Sequence, residues 1–272
     1  MIKTLNSYGL IGFPLSHSFS KKYFTQKFEN ENIINCEYNL FPMEDIKHLT
    51  NLIIDTPSLR GLNVTIPYKE KVIPYLDELD ETAKAVNAVN CIKILPIKNT
   101  RDFNPLLISK IGKEIISKKL IGYNTDIYGF RQAIKPFLEI QHQRALILGT
   151  GGASKAVAYV LKEIGIDCFF VSRSKNEMPA GKQFLYEEIN EYIISSFKLI
   201  INTSPLGMYP FINEAPALPY QYLQASHLLV DLIYNPAETE FIKRGKLMGA
   251  STLNGLSMLH QQAEEAWRIW NQ

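Results

Sequence analysis

The chain has 272 residues, 46% apolar and 21% charged, a balance that excludes a mainly disordered state and supplies enough chain for one large domain or two modest ones. Lys and Arg number 29 against 27 Asp and Glu, a net charge of +2, too small an excess to point to nucleic acid or an anionic membrane as the main partner. Cys36, Cys91 and Cys168 form no CxxC pair, which argues against a thiolate metal site or redox dithiol and suits a reducing, cytoplasmic setting.

Taken in order, short apolar runs alternate with segments of helical period. The run YGLIGF from Tyr8 reads as a strand, residues 20–30 as a helix, CEYNLF from Cys36 as a strand and 43–54 as a helix. LRGLNVTI, ending at Ile66, is a further strand. Helical stretches are expected over 69–75 and 79–86, and AVNCIKIL from Ala88 is strand-like. This alternation predicts parallel strands joined by helical crossovers. The proline-bearing, lysine-rich stretch between Pro96 and Lys119 predicts a long surface hairpin with solvated lysines. A helix over 126–137 then opens a second α/β series, with strands RALIL, CFFVS, KLIIN and HLLVDLIY. Helices are expected between CFFVS and KLIIN, and irregular chain before HLLVDLIY. A long terminal helix over 256–270 puts Leu256, Leu259, Ala263, Ala266, Trp267 and Trp270 on one face.

The sharpest local signal is RALILGTGGASKAVAYVLKEIG, where an apolar strand runs into Gly149, Gly151 and Gly152 and a helix follows at once. Without Cβ atoms the backbone can turn tightly and offer free amides at a helix N-terminus to a pyrophosphate. The next strand ends in VSRSKN, with Arg173 and Ser174 where a carboxylate would accept from the ribose of NAD, so NADP is the expected dinucleotide. Three segments of the first half place polar groups around turns: Ser16, Ser18 and Ser20 in PLSHSFS; Asn63, Thr65 and Lys69 in LNVTIPYK; Asn124, Thr125 and Asp126 in GYNTD. Each alone is explained as well by capping and turn chemistry.

Taken together and in this order, GFPLSHSFS, NVTIPYK, AVNAVNC, GYNTD, GTGGAS, SRS, INTSPLGM, DLIYNP and NGLSMLHQQA resemble the shikimate dehydrogenase family from residue 12 to residue 263. The resemblance implies NADPH-dependent reduction of 3-dehydroshikimate to shikimate, a step of aromatic amino-acid biosynthesis. It also implies two α/β domains with a site in the cleft: a substrate domain of residues 1–125 with 255–272, and a Rossmann-like NADP domain of residues 126–254. Carried over, Ser18 and Ser20 would hold the substrate carboxylate with Tyr234 nearby, and Thr65, Lys69, Asn90, Asp126 and Gln262 would surround the ring oxygens. Gly149, Gly151, Gly152, Ala153 and Ser154 would hold the pyrophosphate and Arg173 and Ser174 the 2′-phosphate, with Met208 and Gly255 near the nicotinamide. Lys69 is the natural proton donor to the developing alkoxide, with Asp126 orienting it.

The expected partners are the small-molecule substrate and NADP, with no metal, no nucleic acid and no membrane; a homodimer is the candidate assembly. The chain departs from the family pattern where Lys21 replaces a proline, where Asn87 and Cys91 bracket the Ala-Val-Asn run in place of glycine and threonine, and where Ser172 replaces an asparagine. Two rivals are a quinate or shikimate dehydrogenase of catabolic direction, which would favour an acid at Arg173, and a non-catalytic NADP-binding protein, against which Lys69 and Asp126 argue.

Overall fold

A computed structural model describes residues 5–15, 18–97, 108–111, 114–174 and 182–272. The chain divides into two compact units, Met1–Thr125 with Ala263–Gln272, and Asp126–Gln262. Among the described residues no helix is long and apolar enough to cross a membrane.

In the first unit the elements run β1 (Asn6–Gly12), α1 (Phe19–Asn30), β2 (Cys36–Pro42), α2 (Leu49–Asp55), β3 (Leu59–Val64), β4 (Glu78–Leu79), α3 (Glu81–Val86), β5 (Cys91–Ile97), β6 (Ile108–Ile111) and β7 (Glu114–Tyr123). The sheet order is β2-β1-β3-β5-β7-β4, with β6 on β7. The expected parallel pairing holds for β2, β1 and β3, but β5 is antiparallel to both β3 and β7. The chain crosses from β3 to the far edge as β4, and β5 then drops back between β3 and β7 in the opposite sense. The helix expected over 69–75 reduces to a single 3-10 turn, Ile73–Tyr75, that holds Pro74, because a proline cannot extend the helical ladder.

The terminal helix, α8 in the final numbering (Leu256–Asn271), ends in this unit. Its Trp267 and Trp270 join Tyr8, Phe24, Phe28 and Tyr38 in one buried aromatic cluster, and the Trp270 indole N–H donates to the Ile92 carbonyl at 3.0 Å. Gly61 is required there, since a Cβ would come within 2.3 Å of the Trp270 ring. Asn87, where the family pattern has glycine, sits at φ +51 as the left-handed cap of α3; asparagine is the side chain that tolerates this conformation best after glycine.

Much of the lysine-rich stretch, residues 98–107 and 112–113, lies outside the described residues, but Lys118 departs from the solvated face predicted for it. Lys118 is 1% exposed, and its Nζ donates to the carbonyls of Ile53 at 2.7 Å and Thr56 at 2.8 Å, closing the C-terminal end of α2. Burial, reinforced by the charge of Arg60, holds the amine down to about 8 from its ordinary 10.5. The folded state therefore binds fewer protons than the unfolded chain between these values, and this group adds stability as pH rises through that window. The wild-type minus Lys118→Met difference in unfolding free energy is expected to grow, by up to about 3 kcal/mol, between about pH 7.5 and pH 10.5. Urea titrations of both proteins check this, and a difference that stays flat with pH contradicts it.

In the second unit follow α4 (Thr125–Ile134), β8 (Arg144–Leu148), α5 (Gly152–Glu163), β9 (Asp167–Ser172), β10 (Gln183–Leu185), α6 (Glu191–Ser196), β11 (Leu199–Asn202), β12 (Leu228–Asp231), α7 (Glu240–Leu247), β13 (Ser251–Leu253) and the start of α8. The order β10-β9-β8-β11-β12-β13 is wholly parallel, the doubly wound order of dinucleotide-binding sheets, whose ligands lie at the carboxyl ends of the strands. Strands β8, β11 and β12 are buried almost throughout, as a parallel sheet covered on both faces requires. Sequence periodicity did not mark β10 or β13, which are too short to carry a periodic signal, nor α7.

Candidate functional site

In the first unit the expected substrate residues lie where strands end and helices begin. Ser18 occupies the N-cap position of α1, yet its side chain makes no capping bond; its Oγ is buried and finds no partner among the described residues. The Ser20 hydroxyl, in the first turn, lies beside the Tyr38 phenol, which burial holds well above its ordinary value and the Ser20 hydroxyl draws back down. Tyr38 donates to Asn63 Oδ1 at 2.8 Å, and Asn63 Nδ2 donates to the Asn90 carbonyl at 3.3 Å. The Asn90 Oδ1 accepts from the Thr125 N–H at 2.7 Å and hydroxyl at 3.2 Å, which turns the donor end of that amide away from Thr125. Thr65 and Lys69 follow β3, and the Lys69 carbonyl accepts from the Val89 N–H at 2.7 Å, fixing its backbone to the chain that leads into Asn90. Ser16 and His17 lie outside the described residues. The sequence reading missed Tyr38, whose signal was only an alternating position in β2.

In the second unit β8 runs into Gly149 at φ +118, where a Cβ would also lie 2.9 Å from Thr203 Oγ1. Gly151 caps α5 and faces open space, with nothing within 4 Å of where a Cβ would sit. The turn thus leaves room for a pyrophosphate to approach the first amides of α5, Gly152 and Ala153 among them, and the site fits a dinucleotide. Ser154 is buried, and its hydroxyl is spent on the Gly151 carbonyl at 2.5 Å, so its backbone N–H is the group it can offer an anion. Arg173 and Ser174 are exposed just after β9. Ser172, in place of the family's asparagine, donates to the Ser174 carbonyl. Gln183 of β10 donates to Ser172 Oγ at 2.6 Å and to the Ser174 carbonyl at 3.0 Å. Gln183 therefore pins the strand-end loop, a role no sequence signal announced. Lys175, read as a supporting charge, lies outside the described residues.

Of the remaining expected positions, Met208, Tyr234 and Gly255 lie around the ends of β11 and β12, and Asp126 and Gln262 on α4 and α8. Asp231 is fully buried; its Oδ1 accepts from Asn202 Nδ2 at 3.1 Å and the Ile233 N–H at 3.0 Å, and its Oδ2 from the Thr239 hydroxyl at 2.6 Å. Desolvation pushes its carboxyl up to about 6 against these three donors. Met208 lies on the exposed loop that follows Asn202, and Gly255 packs so tightly on the Leu232 carbonyl that a Cβ would sit 2.0 Å away. Tyr234 is half-buried, which raises its phenol. Asp126 stands in the first turn of α4. Gln262 donates to the Leu259 carbonyl at 3.0 Å and packs its Cβ against Gly129.

The model of the shikimate dehydrogenase substrate binding domain matches residues 10–92. The chain is 38% identical over 274 residues to the shikimate dehydrogenase (NADP(+)) of Clostridium beijerinckii, covering 97% of this chain and 92% of that one. It is 36% identical over 276 residues to that of Carboxydothermus hydrogenoformans, covering 96% and 90%. Among solved structures, shikimate 5-dehydrogenase from Thermus thermophilus in complex with NADP(H) and shikimate superposes with a TM-score of 0.76 at 25% identity, covering 98% of this chain and 93% of that one.

Proposed function

We propose a division of labour among this chain's residues from one premise: the chain belongs to the shikimate dehydrogenase family. It is an NADP-dependent oxidoreductase that reduces 3-dehydroshikimate to shikimate. Residues 1–125 with 255–272 act as the substrate domain and residues 126–254 as the NADP domain; the doubly wound order of the second sheet supports the latter. Cytoplasmic residence is in keeping with three free thiols at Cys36, Cys91 and Cys168.

Bound NADPH supplies the hydride, and the protein supplies orientation and a proton. Ser18 and Ser20 donate to the substrate carboxylate, and Tyr234 adds a further donor. Thr65, Asn90 and Gln262 bond the ring hydroxyls, Asn90 through the amide end that Thr125 leaves available. Lys69 gives a proton to the oxygen that becomes an alkoxide, and Asp126 orients it and accepts from a ring hydroxyl. On the cofactor side the amides from Gly149 to Ser154 hold the pyrophosphate, Arg173 and Ser174 the 2′-phosphate, and Met208 and Gly255 border the nicotinamide.

The observation that carries the substrate half is the Ser18 hydroxyl, buried and unpartnered among the described residues at a position where capping would ordinarily occupy it. A buried donor left unpaired is costly, and a bound carboxylate relieves the cost. Ser18→Ala is expected to raise KM for shikimate about 10-fold or more, since a hydrogen bond to a charged group is worth about 1.5 to 3 kcal/mol. The NADP KM should stay near wild type and the melting temperature should not fall, because no capping bond is lost. An unchanged shikimate KM returns Ser18 to a purely structural position.

A further inference from the structure

We propose that Asp231 is a positioning residue for hydride transfer: its buried carboxylate ties together the three pieces of backbone that carry Met208, Tyr234 and Gly255. The inference rests on the assignment of those three residues given above. Each tie is a short chain of bonds within one unit. Asn202, held by Asp231, uses its own Oδ1 to accept from the Ser204 N–H at 3.0 Å and hydroxyl at 2.6 Å, and its Nδ2 also donates to the Leu206 carbonyl at 3.1 Å. The loop leading to Met208 is thereby folded back on the end of β11. Gly207 in that loop, at φ +109, lies against the Thr239 side chain, 3.1 Å from where its Cβ would be, and Thr239 donates to Asp231. The Ile233 N–H, one residue before Tyr234, donates to Asp231 directly. The Ile233 carbonyl accepts from the Gly255 N–H at 3.0 Å.

Asp231 faces two fixed donors, the Asn202 amide and the Ile233 N–H, and the Thr239 hydroxyl, which donates to it while accepting from the Ile242 N–H. A carboxylate accepts on both oxygens, whereas an asparagine would present a donor to one of the three. Burying a carboxylate is a poor way to gain stability, and the best-attested use of such a group is to specify one arrangement. What opposes the desolvation of this carboxyl is its set of hydrogen bonds from Thr239, Ile233 and Asn202.

The test uses full-length Asp231→Asn, Thr239→Val and Thr239→Ser. Each is measured for kcat and KM with NADPH and 3-dehydroshikimate, and for the primary isotope effect with NADPH deuterated at the transferred position. Each is also titrated with adenosine 2′,5′-bisphosphate, a fragment that has the phosphate but no nicotinamide. Asp231→Asn and Thr239→Val are expected to lower kcat about tenfold and raise the isotope effect, with fragment Kd within about twofold of wild type. Thr239→Ser, which keeps the hydroxyl, should restore kcat. A kcat within twofold of wild type in both loss variants overturns the proposal. So does a loss of fragment binding that parallels the loss of kcat, which would make Asp231 a support of the whole unit. If Asp231→Asn does not fold, the Thr239 pair decides alone. Met208→Ala and Tyr234→Phe separate the underlying assignment: if both are silent in kcat and KM, that assignment fails and the positioning role with it. If they are impaired while Asp231→Asn is silent, only the positioning role fails.

Discussion

Lys69→Ala is expected to lower turnover at saturating 3-dehydroshikimate and NADPH by about 10²- to 10⁴-fold, the usual loss when a general acid is removed, while NADP affinity stays nearly intact. The split follows from where the residues lie. Lys69 belongs to the first unit, just beyond β3, whereas the residues assigned to the pyrophosphate and 2′-phosphate all lie in Asp126–Gln262. Alanine at 69 keeps the backbone bond that the residue's carbonyl accepts from the Val89 N–H. Steady-state rates with fluorescence titration of NADPH check both halves. Retention of more than half of wild-type turnover removes Lys69 from the proton-donor role.

Arg173→Asp should reverse or abolish the preference for NADP. A 2′-phosphate is close to doubly charged, and a guanidinium meets it with a planar fork of donors; a carboxylate in its place repels the phosphate and accepts from the ribose hydroxyls of NAD. Gln183 and Ser172 hold the Ser174 carbonyl from below, so the loop should keep its course when Arg173 is replaced. The loss should fall mainly on the NADP KM, with kcat changed less, as removal of binding far from the reacting carbon requires. Wild-type enzyme that uses NAD as efficiently as NADP, or a variant with an unaltered NADP KM, contradicts the assignment.

The residues that read clearly from sequence are those whose local geometry dictates their type. Gly149 and Gly151 stand at a strand-to-helix turn, one at positive φ and one facing open space; both needs are written in a run of glycines between an apolar strand and an apolar-periodic helix. The position of Arg173, exposed just past the end of β9, was legible for the same reason. Ser18 was harder, since the same serine at the same helix start would serve as a cap; only the missing capping bond and the unpartnered Oγ separate the two roles.

From the sequence alone came the family, the alternating α/β plan, the preference for NADP and the polar groups assigned to the chemistry, because these depend on residue type and on spacing within a few turns of chain. Only the tertiary structure placed β5 antiparallel between β3 and β7, put Lys118 inside instead of on a solvated face, set Ser20 beside Tyr38, and gathered Asn202, Asp231 and Thr239 into one buried cluster. Each of these joins segments distant in the chain, and Asp231 looks locally like any polar residue ending a strand. Whether such a residue is solvated or buried with three donors is decided by which strands become its neighbours, and that is a property of the assembled sheet.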